Sequence, residues 1–106
     1  MAKYLAIASY TAAGLKGLTA KGGTARMEAS RKLLTEAGGA LESFHFALGQ
    51  DDAYIICDLP DNVTAAAVSM SAAASGMLVS RMVALLTAEE VDRAAAMKLQ
   101  FDPPGS

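Results

Sequence analysis

The sequence predicts an α+β fold, the ferredoxin-like βαββαβ arrangement with one antiparallel four-stranded sheet and a further helix at the C-terminus. Three observations indicate this fold. Short apolar runs bounded by turn residues alternate with longer segments of helical spacing. Two of the apolar runs follow each other directly across a turn in the middle of the chain. The length of 106 residues suits one domain, which we place at residues 1–99.

The first third of the chain predicts one strand and one main helix. The apolar run from Lys3 to Tyr10 is short enough to be a buried strand. A short helical turn is expected next, because Gly22 and Gly23 interrupt the helical spacing. The main helix then runs from about Thr24 to Ala37. It ends before Gly38, since a residue without a Cβ tolerates the left-handed backbone that follows a last helical turn.

The middle of the chain predicts a hairpin followed by a second helix. The strands run from Ala40 to Leu48 and from Ala53 to Leu59, and the residues between them suit a turn. After Pro60, the side chain of Asp61 or Asn62 can accept a hydrogen bond from a free amide of the next helix. That helix is rich in alanine, which permits a close approach to the sheet.

The last third predicts a strand, a helix and a tail. The fourth strand covers residues 77–86 and carries Arg81 as its one charged residue. Thr87 and Glu90 have the spacing of a reciprocal capping box, so the final helix is expected to begin there. Residues 100–106 include two prolines and a glycine and are predicted to form a mobile tail.

Composition favours self-association and excludes several classes of function. Hydrophobic residues make up 53% of the chain and charged residues 19%, which is apolar for a small free-standing domain. The net charge of −2 and the lack of a basic run argue against nucleic-acid binding. The single cysteine, Cys57, cannot form an internal disulfide, and no spacing suggests a metal site. The apolar runs are too short for a membrane span, so a cytoplasmic protein is expected.

The face of the sheet that the helices leave bare is the predicted functional and interface surface. Alternation along the second strand puts Phe44 and Phe46 beneath the helices, and Leu41 and His45 on the bare face. Covering that face with a second copy would bury about 1,600 Å² in a homodimer. The side chains that can join His45 depend on strand registers that the sequence leaves open: Tyr4 with Tyr10, Tyr54 with Asp58, or Arg81.

Three segments carry a resemblance to a known family: "KYLAIASYT", "FALGQDDAYIICDLPDN" and "LLTAEEVD". They resemble the GYD-domain family of the dimeric α/β-barrel superfamily, over about residues 3–97. The glycine and aspartate of the naming motif match Gly49 and Asp52, while Asp51 stands where the family has tyrosine. The resemblance implies a dimeric barrel without an assigned activity. Relatives in the superfamily include cofactor-free monooxygenases, haem-degrading enzymes and binders of small ligands.

The candidate site residues each have a functional and a structural interpretation. His45 is the candidate catalytic base, because its pKa is nearest the working pH, and is otherwise a hydrogen-bonded interface residue. Tyr4, Tyr10 and Tyr54 are candidate ligand-binding residues or interface residues. Arg81 can hold a ligand carboxylate, or pair with Asp58 or an acid of the sister chain. The adjacent Asp51 and Asp52 are expected to be solvated turn residues, with Asp52 fixing the hairpin.

Three functions remain open from the sequence. The preferred one is a homo-oligomeric domain that binds or senses a small apolar molecule in a pocket edged by His45, tyrosines and Arg81. The second is a cofactor-independent oxygenase or isomerase with His45 as base, and the third is a purely structural assembly module. No residue pair has the spacing of a nucleophile and its base, so binding ranks above catalysis. The sequence identifies no cofactor, and an axial His45 on haem stays open.

Overall fold

The structure, a computed structural model, describes residues 1–105 and confirms the predicted α+β fold. In the order of the chain, the four strands and four helices of this part are β1 (Ala2–Tyr10), α1 (Ala12–Lys21), α2 (Gly23–Glu36), β2 (Ala40–Phe46), β3 (Ala53–Leu59), α3 (Asn62–Ala74), β4 (Leu78–Leu85) and α4 (Ala88–Ala96). The strands form one sheet in the order β2-β3-β1-β4, and every neighbouring pair is antiparallel. This is the strand order of the ferredoxin-like arrangement.

The segment predicted as a short helical turn is a helix of ten residues, α1. Its first turn is capped by Thr11, whose side chain accepts a hydrogen bond from the amide of Gly14. Gly22 ends α1 with a φ of 89°, a left-handed backbone angle that suits glycine. The two glycines therefore separate two helices of comparable length instead of ending one short turn.

A β-bulge in β2 changes which side chains face the helices. Leu41 pairs with Cys57 and Ser43 pairs with Ile56, so the extra residue Glu42 shifts the alternation between them. Leu41 consequently packs against the core beneath the helices. The prediction that it shares the bare face with His45 is wrong, because strict alternation ignores the inserted residue.

The core lies between the sheet and helices α2 and α3. Its buried residues come from two central strands and both helices: Tyr4, Leu34, Cys57, Leu59 and Ala65. Cys57 is fully buried, as expected for a small apolar side chain. Residues of α2 and α3 pack against the same face of the sheet, the one that carries Tyr4 and Cys57, so the structure confirms that both crossing helices occupy one side.

The C-terminal helix α4 begins with the predicted capping box, in which Thr87 and Glu90 each accept a backbone hydrogen bond from the other. None of the residues of α4 is buried. Residues 97–105 contain no helix or strand. The predicted tail at residues 100–106 extends to Ser106, which lies outside the described residues, and its mobility stays a prediction. Within residues 1–105, no helix combines the length and apolar character that crossing a membrane requires.

Two helix caps predict how stability depends on pH. The amide and hydroxyl of Thr64 both donate to Asp61, and the amide of Thr87 donates to Glu90, so the pKa of each carboxyl lies below its ordinary value of 3.8 or 4.5. A carboxyl with a lowered pKa in the folded state stabilises the protein above its ordinary pKa, and this contribution is lost as the pH falls through the folded value. We expect the urea concentration at the unfolding midpoint to decrease as the pH is lowered from about 5 to about 3.

The control is the double variant Asp61→Asn and Glu90→Gln, which keeps polar side chains at both caps but removes both titrating groups. Its urea midpoint is expected to fall less steeply over the same interval. A variant that loses stability as steeply as the wild type would show that these caps do not contribute to the acid transition.

Candidate functional site

Three of the predicted site residues lie in one row across the bare face of the sheet. The registers place His45 beside Tyr54, Tyr54 beside Ile7, and Ile7 beside Arg81. His45 and Arg81 therefore occupy opposite edge strands, three strand spacings apart. That separation is roughly 14 Å between backbones. The face brings His45, Tyr54 and Arg81 together as a row, but one small group cannot contact both His45 and Arg81.

Arg81 is engaged within its own chain. Its Nη2 lies 3.3 Å from Oδ2 of Asp51, and Oδ1 of Asp51 also accepts a hydrogen bond of 2.9 Å from Ser9. The alternative partner, Asp58, instead pairs with Lys3 at 3.1 Å. Hydrogen bonds to Glu42 and Asp58 raise the pKa of Lys3. The prediction of an Arg81 pair with Asp58 is therefore wrong, because the turn before β3 brings Asp51 to Arg81 instead.

The adjacent aspartates bind different groups. Oδ2 of Asp52 accepts a hydrogen bond of 2.8 Å from the amide of Tyr10, and the amide of Asp52 donates to the carbonyl of Ala8. The carboxylate of Asp51 instead accepts hydrogen bonds from Ser9 and Arg81. Together they fasten the β2–β3 turn to β1 and β4. The two carboxylates thus serve structure, and they do not form the paired arrangement that acid–base catalysis needs.

Tyr4 and Tyr10 lie on the other face of the sheet, beneath the helices. Tyr4 is buried, and its hydroxyl donates a hydrogen bond of 2.6 Å to Oδ1 of Asn62. Tyr10 lies on the same face as Tyr4 because the two residues are an even number of positions apart on β1. The sheet therefore separates Tyr4 and Tyr10 from His45 and Tyr54. The expected pocket edged by all of these residues does not form within one chain.

A small apolar cavity lies between the covered face of the sheet and helices α2 and α3. Its volume is about 70 Å³. Ala6 and Ala8 of β1 and Ala72 of α3 line it, and their short side chains leave the space that larger residues would fill. Val68 and Met82 supply further apolar wall. The cavity is thus the result of alanine at facing positions of a strand and a helix.

A larger groove adjoins this cavity between α1, α2 and the start of β4. Its volume is about 470 Å³. Tyr10, Arg26 and Leu78 line both the cavity and the groove. These three residues therefore mark the boundary at which the enclosed space meets the open one.

Arg26 is the one strongly basic group in the cavity wall. It is half-buried, and its Nη2 donates a hydrogen bond of 3.2 Å to the hydroxyl of Ser30 one turn along α2. Burial raises the pKa of the Tyr10 hydroxyl, and the nearby Arg26 charge acts in the opposite direction. The boundary of the cavity thus combines a guanidinium and a phenol.

Sequence reasoning missed Arg26, although a signal existed. Arg26 and Ser30 fall at helical spacing with Leu33 and Leu34, which line the same cavity. A charged residue within an apolar helical stripe indicates a group held at a buried boundary. Without the position of α1, that stripe cannot be distinguished from an exposed face.

Neither thiol nor metal chemistry is indicated at the cavity. Cys57 lies in its wall, but burial raises the pKa of the thiol and so favours the unreactive protonated form. No group of three or more metal-ligating side chains occurs in the part of the chain that the structure describes. The arrangement is suited to binding a small molecule.

Comparison with known proteins agrees with this description at the level of the family. The sequence model of the GYD domain matches residues 4–95. No curated protein and no solved structure gives a significant match to the chain. The family match spans all four strands from Tyr4 onwards and nearly all of α4. The protein therefore belongs to the GYD domain family.

Proposed function

We propose that the protein is a homo-oligomeric domain that binds a small, largely apolar molecule between its sheet and helices. The observation that carries this proposal is the apolar cavity beneath α2 and α3, which opens toward the groove at Tyr10 and Arg26. Binding sites for small molecules are concave, mostly apolar and edged by a few polar groups. The groove of about 470 Å³ falls within the usual range for such sites.

Binding is favoured over catalysis by the position of His45. The candidate base lies on the bare face, whereas the cavity lies on the covered face of the same sheet. A molecule in the cavity is therefore separated from the imidazole by the thickness of the sheet. General base catalysis requires hydrogen-bond reach between the base and the proton that it removes.

Self-association is supported by the apolar character of the bare face. The row next to His45 contains Ile56, Leu5 and Val83 across three adjacent strands. Val79 and Val83 are 62% and 40% exposed in the single chain. An exposed apolar patch across several strands is costly in water, and a second copy would cover it. Lys3 and Arg81 form their ion pairs on this same face, which gives it a polar border.

The binding proposal predicts that filling the cavity weakens binding. Ala72→Leu places a larger side chain in the cavity wall, and Ala73→Leu makes the same change at an exposed position of α3. We expect 1-hexanol, added as a neutral apolar probe, to shift the amide signals of Ala6, Ala8 and Ala72 in nitrogen-15 correlation spectra. Binding should weaken several-fold in the Ala72 variant and stay unchanged in the Ala73 variant.

Native mass spectrometry of the purified protein complements the titration, since it reports the subunit number and any co-purified molecule. Absence of any cavity shift up to the solubility limit of 1-hexanol would contradict the binding proposal. Equal binding of 1-hexanol by Ala72→Leu and Ala73→Leu would show that the probe binds outside the cavity.

A further inference from the structure

Within residues 1–105, the half-buried guanidinium of Arg26 has no acidic partner. None of the ion pairs formed within residues 1–105 involves it, and its hydrogen bond goes to the neutral hydroxyl of Ser30. By contrast, Arg31 on the same helix pairs with Glu28 on the exposed side. A partly desolvated guanidinium without a counter-charge is unfavourable, so this position favours an anion supplied from outside the chain.

Neighbouring acids are already occupied. The carboxylate of Asp52 lies near Tyr10, but its Oδ2 accepts the hydrogen bond of the Tyr10 amide. Asp51 is held by Ser9 and Arg81. The guanidinium of Arg26 and the phenol of Tyr10 therefore both remain available as hydrogen-bond donors at the cavity boundary. A carboxylate attached to an alkyl chain matches both the planar donor geometry of arginine and the apolar lining of the cavity.

The volume of the cavity limits the size of the apolar part of such a molecule. At about 70 Å³ it is smaller than the ~150 Å³ that holds a benzene ring in an engineered protein cavity. A ring is too wide for this space, whereas the narrow end of an alkyl chain fits it, and the remainder of the chain can lie at the adjoining groove. The wall that surrounds the chain would be formed by small and aliphatic residues, among them Ala6, Ala8 and Val68.

We propose that the ligand is a short-chain carboxylate, with the end of its alkyl chain in the cavity and its carboxylate on Arg26 and Tyr10 at the mouth. This inference rests on the proposed function, because it assigns a chemical class to the molecule that the cavity binds. It also explains why the side of α2 that lines the cavity carries one arginine.

The test compares hexanoate with 1-hexanol, which have the same chain length but differ in charge at about pH 7. Amide shifts of the full-length protein give the two affinities. Hexanoate is expected to bind about tenfold more tightly than 1-hexanol, since a hydrogen bond to a charged group contributes about one decade or more. In Arg26→Gln this preference for hexanoate over 1-hexanol should disappear. Arg26→Lys should retain part of it, and Arg31→Gln all of it.

Each outcome is decisive. Equal affinity of hexanoate and 1-hexanol for the wild type overturns the carboxylate inference and leaves the proposed binding function intact. Retention of the full preference in Arg26→Gln overturns the role of Arg26. Failure of both probes to bind the wild type overturns the proposed function itself. The wild-type comparison needs no variant, so it holds even if Arg26→Gln folds poorly.

Discussion

Gly14→Ala is expected to destabilise the protein strongly, whereas Gly17→Ala in the same helix is expected to be neutral or stabilising. A Cβ at Gly14 would overlap the carbonyl oxygen of Met77, just before β4. That oxygen cannot easily move, because it also accepts hydrogen bonds of 3.0 Å and 3.1 Å from the amide and hydroxyl of Thr11. Overpacking of this kind costs about 1–3 kcal/mol or more.

Gly17 is the matched control for this change. A Cβ there would meet nothing within 4 Å, so replacing it with alanine removes only the conformational freedom of glycine. The expected gain is about 0.5–1 kcal/mol. Urea denaturation followed by circular dichroism, at one protomer concentration, measures both variants. Equal effects of the two substitutions would show that α1 does not pack against Met77 as closely as described.

Val83→Glu is expected to dissociate the proposed homo-oligomer. Val83 lies on the edge strand β4 and pairs with Leu5 on the bare face, and Leu85 follows it on the same face. Burying a carboxylate there without a partner costs several kcal/mol, so the association should weaken by about a hundredfold or more. Sedimentation equilibrium would show a shift toward the monomer mass at concentrations where the wild type is associated.

Val63→Glu provides the control for the added charge. Val63 is 79% exposed in the first turn of α3, where an acidic side chain is favourable beside the helix N-terminus. This variant should keep the mass of the wild type. A wild type that is already monomeric at micromolar concentration, or a Val83 variant that stays associated, would contradict self-association through the bare face.

Sequence patterns predicted the order of the elements because each depends on local chemistry. The capping box at Thr87 and Glu90 and the spacing of apolar residues in α2 are properties of neighbouring residues. With the helix and strand order known, right-handed crossovers leave few possible strand orders. The fold can therefore be predicted from local patterns in the sequence.

The candidate site was less accessible, because it depends on how distant elements meet. The bulge at Glu42 reversed the face of Leu41, and no local signal marked it. The even positions of β1 placed Tyr4 and Tyr10 beneath the helices, which only the register of the sheet reveals. Arg26 lies at the boundary of the cavity and the groove because α1 forms one wall of that groove. The position of α1 relative to α2 follows from packing of the whole chain.

Alternate residues of β4 face two different surfaces, the cavity and the bare face of the sheet. Ser80 and Met82 line the cavity, whereas Val79 and Val83 point to the bare face. A substitution at one of these positions therefore reaches only one of the two surfaces. In proteins built this way, ligand preference and quaternary structure can evolve separately along a single strand.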